Sequence, residues 1–182
     1  AALRAAGSGI CLYLAGTFLN DWTDRNWDAK HRPERALPRG VFTPALYLAM
    51  AAGFAVLGLG LAANFGAMLA AAGILAMVLL YSAIHKHTAL SVIPMGLCRA
   101  LLPLLGMCAA GADRFHSSAD ILWTASFAGG PLLCHVAGLS LAARREASEK
   151  PVRSGPALGL FILAAAPAIY SLVLSLAVSG LS

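Results

Sequence analysis

Four residues where the first apolar run ends have the types and spacing to do chemistry: Asn20, Asp21, Asp24 and Asp28, within "FLNDWTDRNWDAKHRPERALPRG" (residues 18–40). Continued as a helix from Asn20 at about 100° per residue, the chain places Asp24 at about 40°, Asp28 at about 80° and Asp21 at about 100°. All four share one face. Three carboxylates so close repel one another, and at a helix C-terminus the macrodipole disfavours each by up to about 1 kcal/mol. Something positive must offset this. Arg25, Lys30, Arg32 and Arg35 could do so as a solvated, salt-bridged loop. A calcium loop is a second reading, because Asp24-x-Asn26-x-Asp28 matches the first three ligand positions of an EF-hand. It fails at the sixth position, Ala29 in place of glycine, and at the twelfth, Arg35 in place of glutamate. The third reading is Mg²⁺, which takes hard oxygen ligands, keeps several waters and is commonly held by one or two carboxylates plus the oxygens of a substrate phosphate. It also gives the basic residues a task, since cations on the free oxygens of a diphosphate stabilise its departure.

The elements that must position these residues are membrane spans. Of the 182 residues, 59% are hydrophobic and 12% charged, and the mean hydropathy is +0.77, far above an average soluble domain. Apolar stretches fall at about residues 1–20, 41–62, 66–84, 91–111, 119–142 and 156–181, each near the roughly 20 residues that cross a hydrocarbon core. The fold class expected is therefore all-α, a polytopic bundle of about six spans forming one domain over residues 1–182. Helices are required because a spanning segment must satisfy its own backbone, and no alternating strands suggest a barrel. Thr43-Pro44 and Ser154-Gly155-Pro156 read as helix starts, and Ser91 with Pro94 as another. Pro103, Pro131 and Pro167 predict kinks, and Gly53, Gly58, Gly60 and the run Ala70 to Gly73 predict close helix approach.

Charge sets the orientation. Of thirteen Lys and Arg, five lie in 21–40, one is Lys86 and four lie in 143–155, all on alternate loops. The positive-inside rule places segments 21–40, 85–90 and 143–155 in the cytoplasm; the membrane expected, which that rule does not give, is a bacterial inner (cell) membrane. The net charge of +5 follows from that bias and from contact with anionic lipid heads or phosphates, so nothing points to nucleic acid. Cys11, Cys98, Cys108 and Cys134 stand singly in apolar spans and read as packing residues. The chain lacks an initiator Met and any cleavable leader pattern, and reads as a piece of something longer.

Asn20-Asp21-x-x-Asp24-x-x-x-Asp28, followed by Arg32-Pro33-x-Arg35-x-x-Pro38-x-Gly40, resembles the first aspartate-rich signature of the UbiA family of intramembrane prenyltransferases. "YSAIHKH" (81–87) resembles the family's Tyr-Ser/Pro-x-x-x-Lys-Arg segment, and "MGLCRALLPLLG" (95–106) the Gly-rich helix that follows. The resemblance implies a chain that lacks the family's first and last helices. It implies that Asn20, Asp24 and Asp28, with Asp21 beside them, hold Mg²⁺ on the diphosphate of a polyprenyl donor. Lys86 and Tyr81 would contact the diphosphate oxygens, with Arg32 among the basic residues serving them. Ionisation would leave an allylic cation for a lipophilic, aromatic acceptor to attack, in an apolar channel open sideways to membrane lipid.

Two departures qualify the match. The family's second motif, Asp-x-x-x-Asp, falls where this chain reads "HVAGLSLAARREASEK" (135–150), whose only acids are Glu146 and Glu149, and position 87 is His where Arg is usual. These, with Gly138-Leu139-Ser140-x-x-Ala143-Arg144-x-Glu146 and Met95-Gly96-x-Cys98-Arg99, are most similar to the EboC-type branch. Arg144 or Arg145 could hold a phosphate directly, or mark a protein that binds or moves a phosphorylated isoprenoid without prenyl transfer. Arg99, about 12 Å into its span, either meets the substrate head or pairs inside the bundle. His135 reads as a satisfied interior histidine, His85 and His87 as a weak HxH, and Trp22, Trp27 and Trp123 as interfacial anchors. An unrelated transporter is disfavoured, since intramembrane charge is confined to Arg4 and Arg99 and no paired broken helices appear.

Overall fold

An apolar chain in a medium without water satisfies its backbone internally, and the computed structural model is accordingly helical, with no strand among the described residues, which are 1–62, 64–86, 88–110, 118–146 and 155–179. The order is α1 (Ala2–His31), α2 (Pro44–Gly60), α3 (Phe65–Ile84), a 3₁₀ turn (Ala89–Ser91), α4 (Val92–Ala109), α5 (Ser118–Thr124), a π turn (Ala125–Gly129), α6 (Gly130–Glu146) and α7 (Gly155–Ser179). Because α5, the π turn and α6 run on without a break, the described chain makes six rods. Four of them, α1, α3, α4 and the rod containing α5 and α6, are long and apolar enough to cross a membrane. At 17 residues α2 is shorter, and the described apolar stretch of α7 runs only from Leu158 to Ile169.

The first span does not end at residue 20. Its helix has 30 residues, about 45 Å at 1.5 Å per residue, against a hydrocarbon core of about 30 Å. The excess carries Asn20, Asp21, Asp24 and Asp28 beyond the apolar run while keeping them helical. The chain then turns at Gly40, whose φ of 70° lies in the left-handed region that glycine adopts without strain.

Helix starts are partly as expected. Thr43 caps α2 by accepting from the Leu46 amide, and Pro44 follows it. Ser91 stands at the N-cap of α4, but its hydroxyl makes no cap bond. Ser154 lies outside the described residues. Asn64 caps α3 through Oδ1 to the Ala67 amide at 2.8 Å, and its Nδ2 donates to the Cys108 carbonyl of α4 at 2.7 Å. Pro131 produces the π turn: its ring displaces the carbonyl four residues back, and the Gly130 amide bonds Ala125 O, five residues back. Pro103 and Pro167 sit within α4 and α7, which remain α-helical through them.

Packing joins α1 to α2, α3 to α4, and α6 to both α4 and α7, while α1 also touches α3 and α4. Leu12, Ala67, Ala71, Ile74, Leu105 and Ala109 form the buried cluster. Small residues let backbones meet, though not at every expected position. A Cβ on Gly58 would lie 2.9 Å from Leu12 Cγ, whereas Gly53 and Gly60 face nothing within 4 Å. Ser8 of α1 donates to the Gly58 carbonyl at 2.6 Å. A tighter approach lies between α4 and the π turn, where a Cβ on Gly129 would stand 2.6 Å from the Ala100 carbonyl oxygen. Cys11 is buried and Cys98, Cys108 and Cys134 are half-buried, all as free thiols.

Candidate active site

The carboxylate face is real, and each of its acids already has a cation or ring nitrogen against it. Arg35, in the loop after α1, sends one nitrogen to Asp28 Oδ2 at 2.9 Å and to Asp21 Oδ1 at 3.3 Å. Asp24, one turn along, takes Lys86 Nζ at 2.7 Å and His85 Nε2 at 2.9 Å from the end of α3. Asn20 Nδ2 donates to Asp24 Oδ2 at 3.3 Å. The ring of His85 is placed between two oxygens, with Nδ1 3.1 Å from the Ser82 carbonyl and Nε2 2.9 Å from Asp24 Oδ1. Tyr81 stacks on that ring with centroids 5.1 Å apart. The charges that opposed one another along α1 are thus offset by partners from a loop and another helix.

Beneath this cluster lies a cavity of about 280 Å³ between α1, α3 and α4, near the lower end of the roughly 300–1,000 Å³ usual for small-molecule sites. Asn20, Asp21, Tyr81 and Ser82 line one part of it, and Leu12, Ile74, Val78 and Leu102 give it apolar walls. Two buried polar atoms have no hydrogen-bond partner among the described residues, Asn20 Oδ1 and Ser82 Oγ, and both residues line this cavity. Leaving such atoms unmade costs about 1–3 kcal/mol each, which marks the place as shaped for something polar. A second cavity of about 210 Å³ opens between α3, α4 and α6, with Ser140 and Ala143 on its wall. The two share Tyr81 and Met95.

Of the residues expected at the site, Asn20, Asp21, Asp24, Asp28, Tyr81 and Lys86 come together. Arg99 lines the first cavity, with its guanidinium 5.0 Å from the centroid of Tyr13 and no carboxylate partner among the described residues. Arg32 does not join them: it is exposed and lies over Trp27 at 5.5 Å, because the turn after α1 carries Arg35 inward in its place. Arg25 bonds the Trp22 carbonyl at 2.7 Å and likewise leaves the carboxylates to Arg35. His135 is exposed beside Phe161 of α7, which corrects the interior placement expected for it. Arg144, Arg145 and Glu146 belong to α6, but their side chains, like His87 and Glu149, lie outside what is described. Two contributors were underrated. His85 could have been found from its i, i+4 relation to Tyr81, and Arg35 from its place within the turn closed by Gly40.

Mg²⁺ fits the donor set in one respect and is constrained in another. Carboxylates and an unpartnered amide oxygen are the hard ligands it takes. Among the described residues, however, no three His, Cys, Asp or Glu side chains converge to enclose a cation by themselves, so substrate oxygens and water must complete the shell. Among known proteins, the model of the UbiA prenyltransferase family matches residues 1–181. No curated protein and no solved structure matches the chain.

Proposed function

This chain belongs to the UbiA prenyltransferase family, and from that premise we propose that it transfers a polyprenyl group from its diphosphate to an aromatic or other lipophilic acceptor. It is an integral membrane protein. The observation that carries the reading is the meeting of the α1 acids with Lys86 beside an apolar cavity that Asn20, Asp21 and Tyr81 also line. Residues 1–182 act as one unit, with the carboxylate end on the cytoplasmic side of a bacterial inner membrane.

Asp24 and Asp28, with Asn20 Oδ1 and Asp21 beside them, would hold Mg²⁺ on the donor. When bound, it would neutralise the diphosphate and favour its departure. Lys86, 2.7 Å from Asp24, is close enough to turn its ammonium to a diphosphate oxygen, and Tyr81 can donate its hydroxyl from the cavity wall. Leu12, Ile74, Val78 and Leu102 exclude water from the allylic carbon and seat isoprene units. The acceptor enters from the lipid side.

The test supplies detergent-solubilised protein with radiolabelled prenyl diphosphate, Mg²⁺ and a panel of phenolic acceptors. Prenylated product should form, and should be lost in Asp24→Ala and Asp28→Ala. Product that persists in both variants would overturn these roles. One observation supports a second reading, binding or movement of a phosphorylated isoprenoid without transfer: among the described side chains, α6 presents Ser140 and Ala143, and no carboxylate, on the cavity that it shares with Tyr81. Donor binding without turnover would favour it.

A further inference from the structure

The acids of this site and their partners differ in exposure. The side chain of Asp28 is 3% exposed and that of Asp24 15%, while Arg35 and Lys86 are each 36% exposed. A buried carboxylate needs a counter-charge at all times. A half-exposed arginine or lysine can swing to another anion at small cost, whereas leaving a buried carboxylate for water alone forfeits the attraction of the pair. Asp28 and Asp24 are therefore the fixed half of their pairs and Arg35 and Lys86 the exchangeable half, while Asp21 is as exposed as the Arg35 that it shares with Asp28. Arg35 spans two acids at once, so its departure frees both Asp21 and Asp28.

We infer that Arg35 and Lys86 are exchange cations: they occupy the carboxylates while the site is empty, and move to the diphosphate when divalent metal takes the acids. The inference rests on the proposed Mg²⁺-diphosphate reading and adds a rule of binding order to it. Metal alone must displace Arg35 and Lys86 without offering them a new anion, so it binds poorly. Diphosphate alone meets cations already engaged, so it too binds poorly. Together they satisfy every charge, because the metal replaces the cations on the acids and the phosphate oxygens receive those cations. Binding of the two is thus strongly cooperative, and the site opens only to the complete metal-diphosphate pair. In the empty state the same contact latches the loop after α1 onto its helix, with Arg35 as the bolt.

Equilibrium dialysis of the purified full chain in detergent tests this with radiolabelled Mn²⁺ and radiolabelled inorganic diphosphate, each alone and both together. In the wild type each should raise the affinity for the other by about tenfold or more, within the usual span of coupling between sites. Arg35→Gln should bind Mn²⁺ alone several-fold tighter than wild type, bind diphosphate in the presence of Mn²⁺ more weakly, and lose most of the cooperativity. Arg35→Lys, which keeps the charge, should retain part of it and shows that the position tolerates change. Wild-type protein that binds Mn²⁺ equally well with and without diphosphate would overturn the exchange while leaving the metal site intact. Arg35→Gln with unchanged cooperativity would overturn the role of Arg35. Absence of Mn²⁺ binding even with diphosphate would overturn the underlying functional reading itself.

Discussion

Two helix ends flank Tyr81 and Met95, and they are unlike in chemistry. On one side α1 brings Asn20 and Asp21 to the shared wall, with Asp24 and Asp28 on the same helical face and Arg35, His85 and Lys86 against them. On the other, α6 brings Ser140 and Ala143, and the Ser140 hydroxyl is taken up by the Val136 carbonyl at 2.8 Å and faces Met95 sulfur at 3.1 Å. The first end is a concentrated charge system in which each acid has an identified partner. The second is nearly apolar at the same wall. For the metal-diphosphate headgroup proposed above, the described ligands therefore lie on the α1 side, and the described side chains of α6 at this wall are Ser140 and Ala143. The lesson is that the acids of α1 are balanced independently of α6, because the cations that answer them come from α3 and the loop after α1.

Removing the organised half should have the largest effect. Asp24→Ala should lower the initial rate of prenylated product by about a hundredfold or more, the usual scale for losing an electrostatic anchor of a departing group; a loss of less than tenfold would mean that α1 does not carry the headgroup. Next comes the seating of α6. Gly129→Val places a side chain where even a Cβ meets the Ala100 carbonyl oxygen at 2.6 Å, and should destabilise the bundle by about 1–3 kcal/mol, read as a lowered thermal midpoint in detergent. Gly53→Ala, which faces open space, should raise stability by roughly 0.5–1 kcal/mol. The comparison can also be sharpened by supplying the missing acid. Ala143→Asp should tighten Mn²⁺ binding in the presence of diphosphate by roughly tenfold, since divalent affinity follows the number of charged oxygen ligands, and unchanged affinity would place the headgroup away from α6. The smallest effect belongs to Arg32→Gln. With its guanidinium over Trp27 and in solvent, it should change diphosphate affinity by no more than about twofold.

Several features were legible residue by residue. The helical face of Asn20, Asp21, Asp24 and Asp28 followed from a period of 3.6 alone, and the family from the resemblance of residues 20–40, 81–87 and 95–106 to its motifs. Thr43 as a cap was readable because the bond reaches only to Leu46. His135 was misplaced because which face of α6 is covered depends on packing between helices, and the contact of Arg35 with the acids went unread because it depends on how the loop after α1 turns back. The six apolar runs were found, and the continuation of the first helix through Asp28 was read from the carboxylate spacing, though not from hydropathy. Hydropathy falls at residue 20, whereas helix geometry persists to His31, since a polar helix is as well hydrogen-bonded as an apolar one.

The sequence by itself determined an all-helical membrane protein, the carboxylate face at the end of its first helix, and the need for positive charge near that face. Each depends on composition or on neighbours within one or two turns. Only the tertiary structure decided which cations answer. Asp24 meets His85 across 61 positions of chain because α1 packs against α3, and Arg35 reaches Asp28 because the loop folds back on its own helix. Electrostatics demanded a partner, and long-range packing chose it, since charge complementarity carries no address while a packed helix pair does.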